Sequence, residues 1–226
     1  CRRSMDCRMT YTSPLGKMLL SADDEGLTGA WFLGQKYYAS RSENACDVTN
    51  AFRDFNSAQI CERGLCSLKN NVLNHEIDPS FYEVTNSKPF QILSRAKCWF
   101  EHYFSGEEPC VEVPLHLIGS DFQREVWEIL QTIPYGETIT YGDIAKQIAT
   151  RRGLSRMSAQ AVGGAVGHNP LSVIVPCHRV VGSNGNLTGY AGGIDKKEAL
   201  LTLEGVEVSN HSISTSKKAT QPLSRT

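Results

Sequence analysis

No run of apolar residues in this 226-residue chain approaches the roughly 18 that a membrane helix needs, and no charged-then-apolar leader opens it. A membrane span and a secretory signal are therefore not expected. An excess of charge is missing as well: 23 Lys and Arg stand against 24 Asp and Glu, for a formal net charge of −1. That balance excludes a polybasic tail or a general nucleic-acid glue, while leaving room for a local DNA site. There is no internal repeat. What remains is an ordinary globular composition, 40% hydrophobic and 21% charged. A chain of this length buries about 70–75% of its unfolded surface and needs no covalent framework to fold.

Cysteine is not scarce, but its usual companions are. The eight residues Cys1, Cys7, Cys46, Cys61, Cys66, Cys98, Cys110 and Cys177 include no C-x-x-C, and Cys61 and Cys66 lack a second ligand pair nearby. The chain is too long for a small disulfide scaffold. Neither a metal nor a cofactor is expected. Seven of the eight have no distinctive neighbourhood and read as small buried hydrophobes; Cys177 is the exception.

The chain opens on Cys1 rather than Met, and the expected start of ordered structure is Met9, leading into a strand. Strand-like segments follow at 17–22 and 27–33, separated by Asp23-Asp24-Glu25-Gly26, which has turn chemistry. Residues 40–77 are polar and weakly patterned, and read as a long insertion. From Lys88 to Phe104, Ile92, Leu93, Ala96, Trp99, Phe100 and Phe104 recur on one helical face, with Pro89 in the first turn and Ser105-Gly106 closing it. Residues 107–119, with Pro109 and Pro114, read as an extended linker. The expected organisation is an α/β N-terminal domain at 9–106, with an antiparallel sheet plus helix, the linker, a mainly α domain at 120–208, and a disordered tail at 209–226.

The second half carries sharper signals. Ser120 to Gln123 reads as a capping box, and so does Thr140 to Asp143; Asp195 to Glu198 caps a last helix ending at Gly205. Two short helices, 141–149 and 158–167, outline a helix-turn-helix, with Lys146, Arg151, Arg152 and Arg156 as a local basic cluster. The second of them contains Gly163, Gly164 and Gly167, each costing about 1 kcal/mol relative to Ala in a helix interior. Close helix packing would offset that; so would close approach of a bulky ligand such as a DNA groove.

Residues 172–181 form a β-type apolar run broken at Pro176, which cannot donate to a sheet ladder. Cys177, His178 and Arg179 follow. A thiol at such a break, beside a His and an Arg, has surroundings that favour thiolate. Adjacent strand residues face opposite sides, so Cys177 and His178 pair only if the chain turns or a water bridges them.

Pro176-Cys-His-Arg-Val180, preceded by Asn169-Pro170 and followed by Gly189-Tyr-Ala-Gly-Gly193 and Leu203-Glu-Gly205, resembles the methylated-DNA–protein-cysteine methyltransferases, the O6-alkylguanine-DNA alkyltransferases. The likeness runs from about Phe122 to Gly205 and extends loosely to Thr12–Gly16. It implies a repair protein that flips an alkylated base out of double-stranded DNA and takes the alkyl group irreversibly, once per molecule. Cys177 would be the acceptor, His178 the base acting through a water, and Glu204 its partner. Tyr141 would assist the leaving guanine and Asn169 would buttress the turn. Val180, Tyr190, Ala191, Lys197 and Trp127 would lie at the substrate pocket. DNA contacts would fall to Ser158, Gln160, Ala161, Gly163, Gly164, Arg179, Arg151 and Arg152. Gln160 stands where some relatives carry Arg, and Ala191 where some carry Ser. A monomer in the cytoplasm, or the nucleus of a eukaryote, is implied. The residues alone also permit a thiol hydrolase using Cys177 and His178, or an alkylated-DNA sensor without transfer.

Overall fold

The computed structural model describes residues 6–38, 45–52 and 84–213. Most of the expected insertion and the tail from 214 onward lie outside the described residues. The sheet begins at Cys7, two residues ahead of the expected Met9. Strands β1 (Cys7–Ser13), β2 (Gly16–Ala22) and β3 (Leu27–Phe32) run antiparallel in sequence, and β4 (Cys46–Asp47) pairs parallel to β1, giving the order β3-β2-β1-β4. Gly16 takes φ 116°, a conformation that admits the tight β1–β2 turn at little cost. Part of the segment read as an insertion is therefore sheet and core. After β4, Thr49–Phe52 makes a 3-10 turn that buries Phe52, stacked on Phe90 at 4.4 Å.

Helix α1 (Lys88–Phe104) has the expected limits. Ser87 accepts from the Phe90 N–H at its start, Pro89 occupies the first turn, and Gly106 follows at φ 85°. Its apolar face covers the sheet, with Phe100 stacked on Tyr11 at 5.5 Å. Burying a side chain such as Phe90 or Phe100 fully contributes about 1.5–3 kcal/mol. The segment read as a linker is docked rather than free. Leu27 N–H donates to Pro114 O and His116 N–H to Leu27 O, so residues 114–116 lie along β3. Gly26 permits this, since a Cβ there would sit 2.7 Å from the His116 nitrogen.

The second part is helical: α2 (Asp121–Gln131), α3 (Tyr141–Arg151), α4 (Ala159–Gly167) and α5 (Ile194–Leu203). Ser120 and Gln123 make the expected reciprocal capping box. Thr140 caps α3 by accepting from Asp143 N–H, but Asp143 takes the Thr140 hydroxyl rather than its backbone N–H, so that box is not reciprocal. Asp195 is not the cap of α5; Gly193, at φ 95°, fills that position without a side-chain bond. Two short strands, β5 (Ile139–Thr140) and β6 (Val180–Val181), pair in parallel, and β7 (Val208–Ser209) with β8 (Ser212–Ile213) forms a hairpin where disorder is expected. One apolar cluster runs from Met18 and Phe100 through Trp127 and Ile144 to Val180, so the sheet part and the helical part share a core. No described helix is long and apolar enough to cross a membrane.

Candidate active site

The sheet and the helical part meet at the segment that carries the reactive thiol. Ala30 of β3 donates to Pro170 O, Ser172 N–H donates back to Ala30 O, and Gln35 Oε1 accepts from the Ser172 hydroxyl at 3.1 Å. The expected strand at 172–181 is instead a tight loop. Val173 sits at φ 75°, a left-handed conformation costing a β-branched residue about 1–3 kcal/mol, and Cys177–Arg179 form a 3-10 turn before β6. The chain therefore turns at Cys177, which removes the strand-alternation objection to pairing with His178.

Asn169 holds this loop. Its Nδ2 donates to Val175 O at 2.8 Å and Leu171 O at 3.3 Å, and its Oδ1 accepts from Leu171 N–H at 3.0 Å. The same Nδ2 lies 3.1 Å from Cys177 Sγ, with both residues buried. Burial pushes the Cys177 thiol above its ordinary 9.0, opposed by the Asn169 bond and the Lys197 charge. The surroundings do not make a resting thiolate, contrary to the sequence expectation; a base is required.

His178 is fully buried, and its Nε2 lies 2.7 Å from Glu204 Oε1. With a carboxylate as acceptor, Nε2 carries the proton and Nδ1 is the basic atom. Nδ1 has no hydrogen-bond partner among the described residues. Burial pushes the imidazole below its ordinary 6.5, against the pull of Glu204, so it is neutral and able to accept a proton. Glu204 itself accepts from Tyr103 Oη at 2.6 Å, Arg179 Nε at 2.8 Å and Nη2 at 2.9 Å, and Gly136 N–H at 3.1 Å. Burial alone would raise its carboxyl, but the bonds and charges of His178 and Arg179 bring it down to about 2.

Around the thiol lie Tyr141, Tyr190 and Lys197, each close enough for its charge state to be coupled to Cys177. The Tyr141 hydroxyl donates to Thr188 O at 3.1 Å; burial, and the repulsion that a charged Cys177 would add, push it up to about 12. Lys197 Nζ donates to Val180 O at 2.5 Å and Thr188 O at 2.8 Å, and burial brings it down to about 8. Ala191 O accepts from Lys36 N–H at 3.2 Å, placing it where the loop after β3 meets this cluster. The arrangement offers a buried nucleophile, a neutral base held by an anion, a proton donor and a cation.

Residues 121–206 match the family model described as 6-O-methylguanine DNA methyltransferase, DNA binding domain. A Methanosarcina acetivorans protein named methylated-DNA–protein-cysteine methyltransferase is 37% identical over 195 residues, covering 86% of this chain and 96% of that protein. The chain belongs to the methylated-DNA–protein-cysteine methyltransferase family. A Mycolicibacterium paratuberculosis member is 56% identical over 102 residues, a match that spans 45% of this chain and 59% of the relative. The crystal structure of Mycobacterium tuberculosis OGT in complex with DNA is similar with a TM-score of 0.60 at 36% identity, covering 87% of this chain and 91% of that one.

Within this family framework, two expected site residues are elsewhere. Trp127 is a core residue whose Nε1 donates to Ala165 O at 2.9 Å, tying α2 to α4. Arg179 is buried against Glu204 and Ile133 O, the latter at 2.6 Å, and is not presented on the α4 face; its charge is used internally. Ser158 caps α4 through Ala161 N–H, and Gln160, Ala161 and Gly164 are exposed there. A Cβ at Gly164 or Gly167 would meet nothing within 4 Å, and at Gly163 only the Tyr141 ring at 3.8 Å. Internal packing therefore does not account for these glycines. Of the basic cluster, Lys146 pairs with Asp143 at 3.0 Å and Arg152 with Glu125 at 2.6 Å; Arg151 is exposed.

Sequence reading missed Tyr103, Gly136, Gln35 and Ser172. Tyr103 was hidden by its position on the apolar face of α1, where a Tyr reads as core. Gly136 takes φ 72° and sits under Glu204, where a Cβ would come within 2.8 Å of its carbonyl oxygen. Its Pro-Tyr-Gly turn is visible in the sequence, but its partner, 68 residues away, is not.

Proposed function

We propose that this chain repairs DNA by taking the alkyl group of O6-alkylguanine, and of O4-alkylthymine where the pocket admits it, onto Cys177. The observation that carries the reading is the buried Cys177 beside a His178 whose Nε2 is committed to Glu204, leaving a neutral Nδ1 without a partner among the described residues. The Cys177 thiol gives its proton to Nδ1 through a bridging water, and Glu204 holds the resulting imidazolium. Sγ attacks the alkyl carbon. The S–C bond forms as the C–O bond breaks, and the electron pair departs with guanine, which takes a proton at the Tyr141 hydroxyl. Asn169 steadies the sulfur and its loop. Lys197 stabilises the thiolate. Tyr190, Ala191 and the backbone of Val180 line the pocket. The product is a thioether, which water does not cleave, so each molecule acts once.

The α3–α4 pair serves as the helix-turn-helix, with α4 entering the groove of double-stranded DNA. The open glycines support this, because a face without side chains lets a duplex approach closely. Gln160 near the start of α4 fills the gap left by the flipped base without adding charge. Lys146 and Arg152 have surface carboxylate partners, and Arg151 and Arg156 are the exposed cations beside α4 whose role is phosphate contact. Binding is then modest and salt-sensitive, each phosphate neutralised adding about −0.9 to the logarithmic slope. A monomer satisfies this reading, and a reducing compartment, cytoplasm or nucleus, keeps Cys177 competent.

The test is incubation with O6-benzylguanine followed by mass spectrometry. One stable benzyl addition mapped to Cys177, absent from Cys177→Ser, supports transfer. Turnover of an ester without a lasting adduct would point to a thiol hydrolase, and binding of alkylated duplex without any adduct to a sensor.

A further inference from the structure

Tyr103 belongs to α1, in the sheet part of the chain, yet its hydroxyl ends inside the catalytic cluster. Oη donates to Glu204 Oε1 at 2.6 Å and lies 3.3 Å from His178 Nε2. The ring is fully buried, stacked on Trp99 at 5.2 Å and edge-on to Tyr135 and His178. A core tyrosine needs only some partner for its hydroxyl. This one is placed on the same carboxylate oxygen that receives the His178 proton donor, from a helix 101 residues distant in sequence from Glu204.

We infer that Tyr103 is a positioning residue for the His178–Glu204 pair, so that the N-terminal part of the chain supplies a component of the alkyl-transfer machinery. The inference rests on the transfer reading proposed above. The phenol acts in two ways. By donating to Oε1 it takes up part of the negative charge that would otherwise draw the imidazole proton, so His178 is kept neutral at rest. Its oxygen also gives the Nε2–H a second acceptor, which fixes the ring plane and therefore the direction of Nδ1. The other groups facing this pair are Arg179 from the same 3-10 turn, Lys197 from α5, and Tyr135 and Tyr190 from the loops around it. Arg179 and Lys197 both disfavour a charged imidazole. Besides His178 itself, Tyr103 is the one described side chain that bonds Glu204 without adding charge; the other uncharged donor, the Gly136 N–H, is backbone and sits on the opposite oxygen.

The experiment compares full-length wild type, Y103F and W99F by single-turnover transfer from O6-benzylguanine between pH 5 and 9, alongside the His178 ring titration by NMR. Removing the hydroxyl leaves Oε1 more basic towards Nε2, so the His178 titration and the acid limb of the rate both move to higher pH. The rate near neutrality falls about tenfold, less than the roughly 10²–10⁴-fold that a general base contributes, because the base is misdirected and not removed. W99F loosens the same packing but keeps the hydroxyl; it lowers the melting temperature without moving the acid limb. If Y103F and W99F share the wild-type pH profile and His178 titration, Tyr103 is merely structural and the inference is overturned. Should Y103F not fold, 3-fluorotyrosine at position 103 keeps the shape with a stronger donor. It should move the acid limb to lower pH, and an unmoved limb overturns the inference. If wild type forms no benzyl adduct, the transfer reading itself fails and takes this inference with it; an adduct in wild type with an unaltered Y103F profile sinks only the latter.

Discussion

Asn169 Nδ2 lies 3.1 Å from Cys177 Sγ while also donating to Val175 O, so one amide both touches the nucleophile and closes the loop that carries it. The loop needs closing, because it holds Val173 in a left-handed conformation that a β-branched residue avoids. Asn169→Ala would orphan Leu171 N–H and Val175 O inside the protein. At about 1–1.5 kcal/mol for each of the three backbone hydrogen bonds lost, destabilisation of about 3–4.5 kcal/mol is expected in urea unfolding. Benzyl transfer should fall with it, and more steeply than the loss of folded protein explains. Asn169→Asp keeps the shape but places an acceptor, or a negative charge, against the sulfur and against Val175 O. It should push the Cys177 thiol further up, so that alkylation by iodoacetamide needs higher pH than in wild type.

The parts of this site that were legible in the sequence are those built from neighbours in the chain. Pro176 to Val180 named the nucleophile and its base, and the Ser120 and Thr140 caps marked two helix starts. The likeness of 122–205 to a known family supplied Glu204 and Tyr141, which local pattern alone did not. What stayed hidden depends on distant partners. Arg179 adjoins Cys177 and has the charge for DNA, but the choice between DNA and Glu204 is made by tertiary packing. Trp127 has the chemistry of a base-stacking residue, and its burial together with the contact to Ala165 O shows it to be core. Val173 breaks the rule that apolar β-branched runs are strands because Asn169 and β3 compete for its neighbours' backbone groups. Local propensity lost there to a strained functional loop.

Glu204 sets an acid limit on the fold. Its carboxyl is held down to about 2, below the ordinary 4.5, by the bonds from His178 and Arg179. A carboxyl depressed on folding contributes stability that is fully present above about pH 4.5 and drains away as pH falls towards 2. Glu204→Gln removes that dependence and leaves the buried Arg179 charge unpaired. Destabilisation of about 3–5 kcal/mol at pH 7 is expected, with a flatter melting-temperature profile between pH 4.5 and 2. Calorimetry across that range checks both. An unchanged acid slope would mean that Glu204 is not the group being titrated.

The glycines of α4 should trade stability against function. Gly164 is exposed, and a Cβ on it meets nothing within 4 Å. Gly164→Ala should therefore stabilise the protein by about 0.5–1 kcal/mol through helix propensity alone. If α4 approaches a duplex, the added methyl stands between helix and groove. The rate of transfer from alkylated duplex, divided by the rate from free O6-benzylguanine, should then fall severalfold. A stabilised variant with an unaltered ratio would show that the duplex does not approach this face.

Lys197 is the remaining charge in the site, and its two roles separate by pH. It is buried with Nζ on two carbonyl oxygens, and burial brings it from 10.5 down to about 8. An ammonium whose folded value lies below its unfolded value penalises the fold while charged. The unfolded chain holds more protons between the two values, so stability should rise as pH goes from about 8 to about 10.5. Lys197→Met has similar length and no charge. It gives up two hydrogen bonds and relieves one desolvated cation, so the net change at pH 7 should stay within about 1 kcal/mol. The rise between pH 8 and 10.5 should disappear. The nucleophile responds differently, because the Lys197 charge favours the Cys177 thiolate. Losing it should lift the thiol further and slow benzyl transfer at neutral pH. Urea unfolding against pH, read beside the pH dependence of transfer, distinguishes the two effects. A variant that keeps its stability and loses rate marks Lys197 as the thiolate's counter-charge, whereas parallel loss of both would mark it as the clasp between Val180 and Thr188.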